Sequence, residues 1–238
     1  MIGGLGRETG ALATVERFDI TAASWQPAPD LPIALDHAVA GAFGRDVIVA
    51  GGRYAEGSAR AFVLSGGQWR EIASLPVARA AAAGVVLDGA FYVIGGIGRD
   101  TALEGSRRVF AYDRATDRWR EVAPLTVARQ HLAAVVLAGR ICALGGRGAG
   151  PSAECYDPRA DRWEQIADLA LAEEDFDAVA IDGRIWAFGP RGVQLFERDA
   201  WRVVRGIASP GFGGVAVADG VDVYLLAWSE GNVRVSLR

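Results

Sequence analysis

Ala83-Gly84-Val85-Val86-Leu87, then Asp88-Gly89, then Ala90-Phe91-Tyr92-Val93-Ile94 closed by Gly95-Gly96, is the stretch that decides the fold. An Asp-Gly dipeptide between two short runs rich in apolar and β-branched residues is the strongest local signal for a tight β-hairpin. Neither run alternates polar with apolar, so both faces of the hairpin are expected to be buried between neighbouring sheets. The same unit recurs with Ala138-Gly139, Asp182-Gly183 and Asp219-Gly220 at the turn.

The hairpin is one part of a longer repeat. Trp25, Trp69, Trp119, Trp163 and Trp201 recur along the chain, as do the pairs Gly3-Gly4, Gly51-Gly52, Gly95-Gly96 and Gly145-Gly146, with Gly189-Pro190 a degenerate fifth. Each tryptophan is followed after 27 residues by the second member of a pair: Gly52, Gly96, Gly146 and Pro190. The same count from Trp201 reaches Trp228, so a sixth repeat is present with its glycines replaced. The segment from pair to next tryptophan varies, as expected for a rigid unit with one free loop. A third strand follows that loop (Val15–Asp19, Arg108–Tyr112, Glu154–Asp157), and a fourth carries the tryptophan.

An apolar run, a turn with glycine, a second run ending in Gly-Gly, then an aromatic-Asp pair with tryptophan seven residues after the aromatic, resembles the kelch motif. Tyr112-Asp113 before Trp119 and Tyr156-Asp157 before Trp163 match it best. The resemblance covers essentially the whole chain. It implies an all-β kelch β-propeller of four-stranded blades, in the superfamily of galactose oxidase, with the repeat aromatics as packing between blades. It says little about function, because propellers host many unrelated activities.

One domain spanning 1–238 is expected, with repeat units at about 1–30, 31–74, 75–124, 125–168, 169–206 and a partial 207–238. The first repeat begins within its second strand and the last stops short of its tryptophan strand. The expected closure is six-bladed with an incomplete N-terminal blade. The alternative is five-bladed, the C-terminal first strand completing the first blade.

Composition narrows the function. A hydrophobic share of 51% with 23% charged residues is ordinary for a globular chain, and no apolar run is long enough to span a membrane. A net charge of −4 argues against a nucleic-acid binder. All 25 basic residues are arginine, which excludes lysine chemistry and favours planar, two-pronged contacts to anions. Met1-Ile2-Gly3-Gly4 shows no leader, so a cytoplasmic location and a monomer are expected, although residues missing in front of Met1 could carry a signal peptide. Cys142 and Cys155 are expected on neighbouring strands as a free buried pair. No zinc-type cluster and no cofactor are expected.

By resemblance to kelch domains that capture acidic peptides, the binding face is built from the residue after each glycine pair and from positions 17 and 15 before the pair's end. The first set is Leu5, Arg53, Ile97, Arg147 and Arg191; the second is Leu35, Arg79, Arg129, Glu173 and Gly211; the third is His37, Ala81, His131, Asp175 and Gly213. Arg53, Arg79, Arg129, Arg147 and Arg191 are therefore expected to converge on one channel mouth and to focus a positive field on a carboxylate or phosphate. Glu173-Glu174-Asp175, with Asp177, would share the rim and pair with those arginines. The bland alternative is a solvated or ion-paired set. A copper-radical site of the galactose-oxidase kind is not expected. His37 and His131 lie two blades apart, Tyr54 is only adjacent to a pocket position, and both cysteines sit in blade strands. The two histidines read as mouth residues or simply as repeat consensus at the start of a first strand.

The leading expectation is a binding or scaffold module holding an acidic protein segment or a small anionic ligand. The alternative is a mutarotase- or epimerase-like enzyme acting on an anionic sugar, with Arg129 or Arg147 anchoring its carboxylate and Glu173, Glu174 or His131 moving the proton.

Overall fold

The structure, a computed structural model, describes residues 1–6, 10–53, 58–207, 211, 215–227 and 231–237. Tyr54, Gly213 and Trp228 lie outside the described residues. A short hairpin, β1 (Leu5–Gly6) and β2 (Gly10–Ala11), precedes a two-stranded ribbon of β3 (Val15–Asp19) and β4 (Ser24–Ala28). Four four-stranded antiparallel blades follow. The first is β5 (Asp36–Phe43), β6 (Asp46–Arg53), β7 (Ala61–Ser65) and β8 (Gln68–Ile72). The second is β9 (Ala83–Leu87), β10 (Ala90–Ile94), β11 (Val109–Asp113) and β12 (Arg118–Val122). The third is β13 (Ala133–Leu137), β14 (Arg140–Leu144), β15 (Ala153–Asp157) and β16 (Arg162–Ile166). The fourth is β17 (Asp177–Ile181), β18 (Arg184–Gly189), β19 (Gly192–Glu197) and β20 (Ala200–Val204). A three-stranded fifth blade ends the chain: β21 (Val215–Asp219), β22 (Asp222–Ala227) and β23 (Gly231–Ser236).

The blade count among the described residues is thus five, that of the alternative closure, rather than six. The fifth blade's first strand is not lent to the N-terminal ribbon; β21 pairs with β22, because the Asp219–Asp222 turn closes that hairpin locally. The ribbon instead lies between the fifth and first blades. Val15 packs with Val49 and Phe62 of the first blade, and Phe18 stands 6.2 Å from Tyr224 of the fifth.

The second and third blades are buried on both faces. In β10, Phe91 and Val93 join the first blade's Val39, Ile48 and Val63, while Tyr92 and Ile94 join the third blade's Ile141, Ala143 and Tyr156. That is why the strand reads as a continuous apolar run. The hairpin turns need left-handed backbone at both central residues, found at Asp88 (φ 49°) and Gly89 (φ 77°) and again at Ala138 (φ 50°) and Gly139 (φ 74°).

Two sets of hydrogen bonds lock blade to blade. The tryptophan of the second blade reaches back: Trp119 Nε1–H donates to Ala73 O (2.7 Å), while Ala73 N–H donates to Asp117 Oδ1 (3.0 Å), which also accepts from Tyr112 OH. Trp163, Ala123, Asp161 and Tyr156 repeat the clasp one blade on. Near the channel, the second glycine of each pair donates forward: Gly52 N–H to Arg79 O, Gly96 N–H to Arg129 O, and Gly146 N–H to Glu173 O. The first glycine makes room for this. A Cβ on Gly51 (φ 71°) would lie 2.3 Å from Arg79 O.

Cys142 and Cys155 are directly paired across β14 and β15 and are joined by a disulfide, not left as free thiols. The register brings their Cα atoms to 4.0 Å, inside the third blade.

Candidate functional site

First strands line the channel, and the residue at or just before each one forms a belt around its mouth. Ala81 N–H donates to His37 O (3.0 Å), His131 N–H to Ala81 O (2.8 Å) and Asp175 N–H to His131 O (3.0 Å). All four residues are left-handed, with φ between 49° and 53°. The glycine-pair bonds tie the residue two places earlier to the preceding blade, so the chain must turn sharply at the belt.

The belt brings the two histidines together despite the blade between them. Ala81 is too small to separate them, and their ring centres lie 5.4 Å apart, edge to face. Nδ1 of His37 is 2.8 Å from Asp36 Oδ2 and 3.0 Å from Arg53 Nη2; protonated it donates to Asp36, unprotonated it accepts from Arg53. Arg53 also donates to Asp36 (2.8 Å). Burial alone would raise Asp36, but its bonds to Arg53 and His37 prevail and hold it below the usual carboxylate range. Nδ1 of His131 faces Gln130 Oε1 at 2.8 Å, and its Nε2 stands 3.4 Å from Asp175 Oδ1. Burial lowers His131 below the ordinary histidine range against the pull of Asp175.

The five arginines divide into two groups. Arg79 and Arg129 do not reach the mouth; their side chains are wholly buried inside their own blades. Arg79 forks onto Asp100 (2.6 and 2.9 Å) and holds its carboxyl down to about 2. Arg129 binds Glu154 (2.7 Å) and the carbonyls of Gly145 and Ser152. Their own carbonyls accept the preceding blade's glycine N–H, and the side chains run into the blade wall. Arg53, Arg147 and Arg191 are exposed on the mouth side. Arg147 pairs with Glu174 (2.8 Å) and Asp175 (3.4 Å). Arg191 makes no side-chain hydrogen bond or ion pair among the described residues.

Glu173 occupies the repeat position of Arg129 but faces no cation of that kind. The residue matching Glu154 in the fourth blade is Gln194, which is engaged with the backbone of Leu171 on both its atoms. The Glu173 carboxyl therefore turns toward the β18–β19 turn and accepts Arg191 N–H (3.2 Å). It lies where a Cβ on Gly189 would sit, 2.6 Å from its Cδ. Burial pushes it up to about 7. A cleft of about 230 Å³ opens beside it, walled by Arg147, Glu174, Arg191 and the glycines after β14. Asp177, which bridges to the fifth blade by accepting Ala216 N–H (3.0 Å), is raised to about 6 by burial.

Repeat arithmetic did not single out Asp36 or Gln130, although each directly precedes a belt histidine and fixes its ring. No group of three or more His, Cys, Asp or Glu side chains is arranged to hold a metal ion among the described residues.

Among known families, the model described as the Kelch motif matches residues 78–126, which span the second blade from its entry loop to its tryptophan strand. No curated protein matches the chain.

Proposed function

We propose that this kelch-repeat β-propeller holds a carboxylate-bearing protein segment or a small anionic ligand at its channel mouth, on Arg53, Arg147 and Arg191 with His37 and His131 between them. A kelch-repeat propeller is a binding or scaffold architecture; the finer assignment rests on one observation. Three exposed arginines stand on the face ringed by the His37–Ala81–His131–Asp175 belt, two of them held in place by carboxylates, and the exposed one, Glu174, can be replaced by an incoming carboxylate. Exposed ion pairs are worth roughly 0–1 kcal/mol. Exchanging the exposed Glu174 for a partner's carboxylate therefore costs little, while the buried Asp36 stays on Arg53 and keeps it oriented. Affinity capture from extract of the source cell, comparing the wild type with the Arg53→Ala/Arg147→Ala/Arg191→Ala variant, tests this. A protein retained by the first and lost by the folded variant supports the assignment; equal retention removes it.

A second reading, acid–base chemistry on an anionic sugar, is favoured by the Glu173 carboxyl near neutrality beside Arg147 and Arg191. Arg129, committed to Glu154, has no part in it. Anomer exchange of an acidic sugar followed by NMR is the check; exchange no faster than in buffer eliminates this reading.

A further inference from the structure

We propose that the cleft between Arg147–Glu174 and Arg191 is a proton-coupled carboxylate site, in which Glu173 enters as the neutral acid and donates a hydrogen bond to a carboxylate held by Arg191. This deepens the reading of the mouth as an anion-binding face and rests on it.

Three observations converge. Glu173 is 3% exposed and lines the cleft, turned toward the β18–β19 turn from a repeat position that carries a wall-buried, paired arginine in the two preceding blades. No cation stands at the position that completes the Arg129 pair, where Gln194 is committed to Leu171 instead, and the charge of Arg191 does not offset the burial of Glu173. Arg191, whose backbone N–H binds the Glu173 carboxyl, makes no side-chain hydrogen bond or ion pair among the described residues, so the cleft sets a loosely held cation beside an under-compensated acid. At about 30 Å³ per water, 230 Å³ holds roughly eight waters, room for a small acid or for one Asp or Glu side chain.

The charged groups that face Glu173 are Arg191 from the β18–β19 turn, Arg147 from the segment after β14 across the cleft, and Glu174 beside it on its own loop, itself bound to Arg147. A second carboxylate entering this space is repelled by an ionised Glu173 and accepted by a protonated one. Binding above neutrality therefore takes up one proton from solvent, which ends on a Glu173 oxygen. Desolvation already places that carboxyl near the switching point. A group titrating near 7 that must be protonated for binding weakens the ligand about tenfold between pH 6 and pH 8.

The probes are acetate and a blocked tri-glutamate peptide, titrated at pH 6 and pH 8 into protein carrying ¹³C-labelled glutamate side chains. NMR then reads the affinity and the Glu173 protonation together, in the wild type, Glu173→Gln and Arg191→Gln. The expected result is an approximately tenfold loss of affinity at pH 8 in the wild type, pH-independent binding in Glu173→Gln, and loss of binding in Arg191→Gln. Binding of acetate identifies a free small acid as sufficient; binding of the peptide alone identifies a side-chain carboxylate of a chain. Failure of both probes at pH 6, equal affinity at both pH values, or a pH dependence that survives in Glu173→Gln overturns the proposal. Partner capture by an Arg53→Ala variant, which leaves Arg147, Glu173 and Arg191 in place, fails or succeeds independently, so the two readings are separable.

Discussion

The imidazoles of His37 and His131 meet edge to face, 5.4 Å between ring centres, although the two residues belong to the first and third blades and a whole blade lies between them in the chain. Their surroundings differ. His37 is flanked by Asp36 and Arg53, whereas His131 is more enclosed and faces Asp175 only at 3.4 Å.

Gln130 fixes the His131 tautomer. Its amide nitrogen donates to Leu103 O, so its oxygen faces Nδ1, which must carry the proton. Imidazole NMR is expected to show a neutral Nδ1–H ring at pH 7 that titrates below the ordinary histidine range, since burial opposes its charge. Gln130→Ala is expected to release the tautomer. A His131 titration at or above the ordinary range contradicts this.

The Arg129–Glu154 pair is fully buried, and cutting one side strands the other charge. Arg129→Met alone is expected to cost about 3–5 kcal/mol in denaturant unfolding. Adding Glu154→Gln, the arrangement the fourth blade already uses at Gln194, is expected to recover a large part of that loss. A double variant as unstable as the single one shows that the charge was not what mattered.

The clasp between blades depends on one carboxylate. Asp117 accepts from both Ala73 N–H and Tyr112 OH, and Asp161 does the same for Ala123 and Tyr156. Asp117→Ala or Asp161→Ala is expected to lower stability by about 1–3 kcal/mol by leaving these donors unmet, with the secondary structure retained. A change below about 0.5 kcal/mol by chemical denaturation means that water replaces the carboxylate without loss.

Glu173 makes stability pH-dependent in a definite direction. Its folded pKa, near 7, is above its ordinary value of 4.5, so its contribution is fully present below the ordinary value and lost as pH rises toward and through 7. Glu173→Gln is expected to match the wild type near pH 4 and to exceed it by up to about 3 kcal/mol at pH 8. Melting curves at both pH values decide; a constant difference between the two proteins places the titration elsewhere.

The blades were legible because glycine pairs and tryptophans each do one geometric job, and the 27-residue count from tryptophan to pair expresses it. Side-chain fates at equivalent positions were not. Arg79, Arg129 and Glu173 occupy one repeat position, and only the partners supplied elsewhere, Asp100 in a variable loop, Glu154 in β15 and Gln194 in β19, decide whether the side chain is locked in the wall or turned to the cleft. The histidine contact was hidden for the same kind of reason. Blade count separates the two residues, but Ala81 leaves a gap across which they touch. The disulfide needed the exact register of β14 against β15, which residue spacing alone leaves open.

The left-handed belt has a further implication for how this mouth can diversify. At φ near +50°, β-branched side chains are strained, while Asn, Asp, His, Gly and small residues are tolerated. His37, Ala81, His131 and Asp175 carry their chemistry on a backbone whose hydrogen bonds run through N–H and C=O alone, and none of the four is needed to pair a blade strand. The mouth is therefore a collar of interchangeable teeth, one on each of the four four-stranded blades. Its chemistry can be rewritten tooth by tooth within a small alphabet while the propeller beneath keeps its shape.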